Sequence, residues 1–317
     1  MEGHHSARVS WVEITRSEEE GGLGVRDLVS WNKASSIKMI WMLFFTSGSI
    51  WVAWFVDNIL SGSLSNFWTI KENNNHSWLV KRLLRLRHIL YPWLRMAIGN
   101  GRTSRFWSDN WSDFGCISDY LNLPPTSRLG ISRTSTLSSL NTNGNWILPP
   151  ARSEEQLLLQ VYISTLTLTE EEDRYEWVVN GSKNTTFSTS TVYNELKQHN
   201  TIVPWSKTVW CSRNTPKHAF LAWLFVLNRC LTRDRLLSCG LNTPPTCLLC
   251  NSGTESRSHL FFQCPFPWQI WNRLGTRCGL IPSQNWDQTL IDLRSNPGPR
   301  HTKLLCLFVW QIVIYSL

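Results

Sequence analysis

Met39 to Val56 carries no charged residue over eighteen mostly apolar positions, and Thr46-Ser47-Gly48-Ser49 interrupts it with turn-forming residues. Each apolar segment is too short to cross a bilayer, and its tryptophans lie throughout rather than at two ends, so the pattern predicts two shorter apolar segments joined by a turn in a soluble chain. Ahead of it, Ser17-Glu18-Glu19-Glu20-Gly21-Gly22-Leu23-Gly24 reads as a turn. It lacks the Lys-Ser/Thr pair of a phosphate loop. Asp27 is placed to cap a helix carrying Trp31, Ala34, Ile37 and Trp41. In Leu79–Leu90, leucines 79, 83, 86 and 90 recur at helical spacing, while Lys81, Arg85 and His88 follow another side. Ile98-Gly99-Asn100-Gly101-Arg102 is a hairpin-turn signal. Residues 112–150, rich in Ser, Thr, Pro and Asn, predict a loosely ordered connector.

Further on, Trp177-Val178-Val179, the Asn180-Gly181 turn and Thr185–Ser190 predict a hairpin, followed by a helix from about Thr191. Pro216 can open a helix with Phe220, Trp223, Leu224 and Leu227 along one flank. Thr232 is placed to cap a short helix, Arg233–Cys239, that Gly240 ends. Leu304–Leu317 is again apolar and too short for a bilayer, and we expect a poorly covered hydrophobic end that promotes association. The fold class expected is α+β, mainly helical, with short β-hairpins in the N-terminal two thirds and a small helical unit after Trp205. The segments expected are a connecting region (1–150), a linker and hairpin (151–186), a compact unit (187–275) and a truncated tail (276–317).

Composition narrows the function. A chain of 317 residues can form two or three compact units. Its 31 Lys+Arg against 23 Asp+Glu leave +8, mostly from arginine, which makes a phosphate-bearing partner plausible without establishing one. Nine cysteines are too few and too odd a count for a disulfide framework, and no secretory leader opens the sequence. These features favour a reducing intracellular compartment, the nucleus among the candidates, where spaced cysteines hold metal. Nineteen tryptophans recur within apolar runs, which assigns most of them to cores.

Cys247 and Cys250, then His259 and Cys264, give C-x2-C-x8-H-x4-C. Two residues between cysteines let both sulfurs reach one ion across a tight turn, and the second pair closes a tetrahedron. Glu255–Gln263 reads as helical, setting His259 on a helix and Cys264 just past its end, and Pro265 restarts the chain. Four soft ligands with no open position describe one structural Zn2+ per chain. The remaining cysteines, 116, 211, 230, 239, 278 and 306, read as ordinary buried thiols.

The stretch Phe187–Leu274 resembles the zinc-binding domain that follows the polymerase in plant non-LTR, LINE-type retroelement reverse transcriptases. The residues that carry the likeness are Phe187-Ser188-Thr189, Tyr193, Trp205, Val209-Trp210, Pro216–Trp223, Leu231–Leu236, the zinc ligands, Glu255 and Trp271. Ser10-Trp11, Glu20–Gly24, Trp31–Ala34, Lys38–Trp41, Gly99-Asn100-Gly101 and Phe106–Trp111 resemble the region just after such polymerases. No Asp-Asp pair that could hold polymerase metals occurs, so the resemblance carries over no catalysis. It implies a non-enzymatic module binding RNA or DNA, with no membrane and no small-molecule substrate. Lys207, Arg213, Lys217, Arg229, Arg233 and Arg235, with Lys81 and Arg85, are then the expected phosphate contacts. The alternative is a vestigial fragment of a degenerate element that folds around zinc and binds nothing specific.

Overall fold

The computed structural model describes residues 8–46, 48–122 and 129–317. The chain packs as two compact units, Leu28–Lys197 and a discontinuous one combining Met1–Asp27 with Gln198–Leu317. The segments read from sequence divide differently: 1–150 contributes to both units, and so does 187–275.

A short helix, α1 (Trp11–Thr15), opens the described chain. Within Leu28–Lys197, the uncharged run becomes the end of α2 (Leu28–Phe45) and α3 (Ile50–Asn58), with Ser47 of the expected turn outside the described residues. No single helix among the described residues is long and apolar enough to cross a membrane. A one-turn helix, α4 (Asn66–Thr69), precedes α5 (Trp78–Leu90), whose N-terminus is capped by the Ser77 hydroxyl accepting from Val80 N at 3.4 Å. Leu83, Leu86 and Leu90 of the predicted stripe are buried, joined by Val80 and Leu84. They pack against Ala34, Ile37, Ile40 and Leu43 of α2.

Strand β1 (Leu94–Ala97) does not turn back on itself. After the one-turn helix α6 (Ile117–Tyr120) come the small hairpin β2 (Asn141–Thr142) and β3 (Asn145–Trp146), α7 (Glu154–Ser164), β4 (Arg174–Val179) and β5 (Ser182–Asn184). The larger sheet has the order β1-β4-β5, all antiparallel, with Leu94 opposite Trp177 and Trp177 opposite Asn184. Asn180 and Gly181 both have positive φ, 54° and 69°, as the predicted turn requires. The second arm expected at Thr185–Ser190 is corrected: the returning strand is Ser182–Asn184, and α8 has begun by Thr189. The hairpin expected at Ile98–Arg102 is corrected. There the chain wraps the Asp173 carboxylate, which accepts from the N–H groups of Gly99 (2.8 Å), Gly101 (2.8 Å), Thr103 (2.9 Å) and Ser104 (3.0 Å). A charged acceptor that satisfies four backbone donors outcompetes a two-residue turn. Burial by itself would raise the Asp173 carboxyl, but those four N–H groups outweigh it and hold it below its ordinary value.

The connector expected at 112–150 is also corrected, apart from residues 123–128, which lie outside the described residues. Ile117, Ile131, Leu137 and Leu140 are buried with Phe106, Trp107 and Trp111, and with Leu159 and Ile163 of α7. Widely spaced apolar anchors form this core, and short hydroxyl-capped turns such as Thr136 N to Ser139 Oγ (3.0 Å) satisfy the backbone between them. Helix α8 (Thr189–Leu196) closes the unit, packing on α2 through Val192 and Tyr193.

The discontinuous unit contains α9 (Ser206–Val209), α10 (Pro216–Val226), α11 (Arg233–Ser238), α12 (Pro265–Arg277), α13 (Trp286–Ser295) and α14 (Arg300–Ser316). Its core holds Trp223, Phe261, Phe262, Trp271, Trp286 and Trp310. The poorly covered end expected at Leu304–Leu317 is corrected: α14 lies against α10 and α12 and buries Cys306, Trp310, Val313 and Ile314. The buried Gln311 amide donates to Thr208 O (3.3 Å) and Val209 O (2.8 Å), fixing α14 to the end of α9. An apolar helix of this length covers itself on its neighbours when they present a matching face. Residues 8–27 belong to the same unit. The Glu20 carboxylate accepts from Ser17 N (3.0 Å) and Asn200 N (2.9 Å), and Gly21 O accepts from the buried Trp223 indole N–H (2.8 Å). A Cβ on Gly22 would lie 2.2 Å from Arg16 O, so the glycine-rich turn is steric in origin.

Candidate metal centre

Cys247 and Cys250 sit on a knuckle built by backbone bonds. Cys247 N donates to Gly253 O (3.0 Å), Asn251 N donates to Cys247 O (2.9 Å), and Thr246 bridges Thr254 across the loop. Asn251 and Gly253 take positive φ, 49° and 69°, to close it. A Cβ on Gly253 would meet His259 Cε1 at 3.1 Å, so the knuckle and the imidazole approach as closely as a glycine allows.

His259 enters from the other side, on a π-helical turn spanning His259–Gln263. That turn ends where Cys264 N donates to His259 O at 2.8 Å. One extra residue per turn brings the sulfur of Cys264 round beside the imidazole. Cys264 is also the N-cap of α12, with Pro265 at its first position, as the sequence predicts. Phe261 and Phe262, buried between the two ligands, anchor the turn in the tryptophan core.

The four ligand atoms all lie within 4.8 Å of one another, and Cys250 Sγ is 3.3 Å from His259 Nε2. Zinc–sulfur bonds of about 2.3 Å in a tetrahedron place sulfurs about 3.8 Å apart, so the set fits one zinc ion with small adjustment. Electrostatics agree. Hydrogen bonds from the Ser252 hydroxyl and backbone, and with His259, bring the Cys250 thiol down to about 6. Desolvation and the adjoining sulfurs of Cys250 and Cys247 push Cys264 up to about 11. Three sulfurs this close ionise together only around a cation. Around such an ion the chain would supply all four ligands of a tetrahedron, leaving no position for a reactive water.

Glu255 is the residue that sequence reasoning underused. Buried beside the knuckle, it accepts from Leu248 N through Oε2 and from Arg233 N through Oε1, each at 3.3 Å. Its backbone carbonyl accepts from Asp234 N at 3.1 Å. Glu255 therefore caps α11, the role expected of Thr232, whose hydroxyl is buried and caps nothing. A carboxylate from the loop wins because it meets two N–H groups and the Arg233 guanidinium at once, at 3.8 Å from Nε. Arg257 is similarly structural: its Nη1 donates to Phe225 O (3.0 Å) and Val226 O (3.1 Å) at the end of α10. Its guanidinium lies 4.5 Å from the centre of the Trp286 ring.

The expected phosphate contacts have different fates. Lys207 on α9, Arg213 in the following loop and Lys217 in the first turn of α10 are exposed, and Lys217 Nζ lies 4.7 Å from the Tyr315 ring centre. Arg229 and Arg235 are half-buried. Arg233 is turned inward, donating to Pro244 O (3.0 Å) and Thr246 O (2.8 Å) at the root of the knuckle. Lys81 and Arg85 belong to the other unit, on α5, where Arg85 makes a two-pronged pair with Glu72.

Residues 187–271 match the family model described as zinc-binding in reverse transcriptase. A protein of Arabidopsis thaliana that carries the name of a ribonuclease H protein is 23% identical over 273 residues, 84% of this chain. The chain spans 44% of that relative's length. No solved structure matches.

Proposed function

We propose, from the premise that residues 187–271 are a reverse-transcriptase zinc-binding domain, that this chain is a non-catalytic, RNA- or DNA-binding module of a LINE-type retroelement reverse transcriptase, working inside the cell. The observation that carries the reading is the closed Cys247, Cys250, His259, Cys264 set within that domain. A bound zinc would tie the knuckle to the π turn and, through Glu255, to α11. What it supplies is rigidity, in the way structural zinc couples binding to folding. Exposed Lys207, Arg213 and Lys217, carried on elements of the same unit, are free to meet phosphates. Arg233 has a structural duty and drops out of the expected contact set.

Fluorescence anisotropy with labelled RNA and DNA, titrated in salt, tests the reading. Affinity should fall steeply as salt rises. Replacing Arg213 and Lys217 by Gln should flatten the slope by about one to two, one counterion equivalent per lost phosphate contact. Zinc-loaded protein that binds neither polymer at low salt would instead be a folded remnant without a nucleic-acid partner.

A further inference from the structure

Helices α2 and α5 pack through their apolar faces, and their polar edges leave a cleft of about 240 Å³ lined by Lys33, Trp78, Lys81, Arg82, Arg85 and Leu86. Four of those six residues are cationic and none is acidic. Arg85 is neutralised by Glu72. Lys33, Lys81 and Arg82 form no salt bridge among the described residues, although Glu72 is close enough for Lys81 to lower its carboxyl. Burying apolar surface explains why α2 and α5 meet. It does not explain why four cations converge where the Glu72 carboxylate, paired with Arg85 and acting on Lys81, cannot balance them all, since like charges repel unless an anion comes between them.

Trp78 is the second observation. It occupies the first position of α5, where any helix former would serve, yet its side chain is 70% exposed. Large apolar side chains are normally withdrawn from water, and an indole displayed at the mouth of a cationic cleft is the arrangement that stacks on a base. Arg82 lies over the ring, 5.4 Å from its centre, and is itself held by Nε donating to Ser36 Oγ at 2.9 Å. The indole is thereby backed on one face by a fixed guanidinium, while most of its surface stays open to solvent. Lys81 Nζ is steadied by Asn74 O at 3.3 Å.

We infer that the α2–α5 cleft binds a single-stranded nucleic acid, one base stacking on Trp78 while the adjoining phosphates meet Lys33, Lys81 and Arg82. The inference rests on the nucleic-acid reading above and assigns it a second site, in the unit that lacks the zinc centre. A single strand fits better than a duplex, because only an unpaired base offers its face to an indole. It also fits better than an anionic membrane, because the cationic surface is concave and carries a single aromatic residue.

The test uses the full zinc-loaded chain and fluorescein-labelled oligo(U) of about 20 nucleotides, long enough for a stacking site. A duplex of equal length and vesicles containing phosphatidylserine are the comparison probes. Trp78→Ala should weaken oligo(U) binding about tenfold and leave duplex binding within about twofold, since base stacking is lost only from the single strand. Lys33→Gln with Lys81→Gln should flatten the single-strand salt slope by about 1.4, at about 0.7 per phosphate. Circular dichroism melts matching the wild type would establish that the variants fold. Wild-type binding that these folded variants keep in full overturns the cleft assignment and leaves the nucleic-acid reading standing. A wild-type chain that binds neither polymer overturns both. Vesicle binding that the variants abolish, without oligonucleotide binding, would give the cleft to a lipid surface and also overturn the inference.

Discussion

At the residue scale, metal, carboxylate and glycine each have a separable job. Cys247→Ser or His259→Ala should lose the ion and leave the Gln198–Leu317 part sensitive to protease, because a structural zinc supplies folding energy to what it ties together. Cys278→Ser should keep it: Cys278 is buried, but it sits beside Cys306 and outside the ligand set. Elemental analysis of chelator-free protein reads the outcome as one zinc per chain or none, and equal loss from Cys278→Ser would defeat the ligand assignment. Glu255→Gln presents an amide donor where the carboxylate now receives two backbone N–H groups, and should cost about 1–3 kcal/mol of unfolding free energy.

Asp109 offers a pH signature in the other unit. Its carboxyl is fully buried, and desolvation raises it to about 6 despite hydrogen bonds from Arg105 N and the Ser65 hydroxyl, with the nearby Asp173 adding to the rise. The folded-state value lies above the unfolded one of about 3.9, so this group favours folding below about pH 4. That contribution is lost as pH climbs through about 6. Asp109→Asn keeps an acceptor for both donors and removes the ionisation. Its effect on the stability of the Leu28–Lys197 unit should be about 1–3 kcal/mol more favourable at pH 7.5 than at pH 4, on top of a pH-independent cost for an amide donor at the unpartnered Oδ1 position. Urea melts at the two pH values decide it, and an equal effect at both would rule out ionisation as the cause. Asp173, held low by its four N–H donors, acts in the opposite direction and only below its ordinary range, so the two contributions separate by pH.

At the element scale, two stretches far from the zinc ligands in sequence complete their unit. Residues 8–27 contribute Val9 to the tryptophan core and the Gly21 carbonyl to the Trp223 indole. Gly22→Ala should be strongly destabilising, since its Cβ would have to displace backbone rather than a side chain. Helix α14 supplies Trp310, Val313 and Ile314 to the same core. Ending the chain near Pro299 should therefore aggregate the protein rather than relieve association, because the faces of α10 and α12 would be stripped of their cover. Light scattering on the full and shortened chains distinguishes the two directions.

At the scale of the whole molecule, the Cys247, Cys250, His259, Cys264 set belongs to one of two units. Chelation should melt the unit formed by Met1–Asp27 and Gln198–Leu317 and leave Leu28–Lys197 folded, giving two thermal transitions that differ in their response to added zinc. A single transition that shifts as a whole would show instead that the two units fold as one.

What sequence alone determined was local. The zinc quartet was legible because C-x2-C and H-x4-C are set by the reach of a knuckle and one helical turn. The Asn180-Gly181 turn was legible because two successive positive-φ positions leave few residue choices, and α5 because apolar residues recur at its period. Helix α10 announced its start at Pro216 but not its buried face, which takes Ala219, Ala222 and Phe225 and leaves Phe220 exposed. What tertiary structure decided was every pairing of distant partners: β1 with β4, the Gly99–Ser104 loop with Asp173, Glu255 with α11, and α14 with α10. Each of those local sequences permits an alternative, a hairpin, a side-chain cap or a bare end. The alternative lost because a distant carboxylate or apolar face satisfied more donors, or covered more surface, than any neighbour in sequence could. The same logic hid the α2–α5 cleft, since Lys33 and Trp78 stand 45 positions apart and only helix packing brings their side chains to one surface.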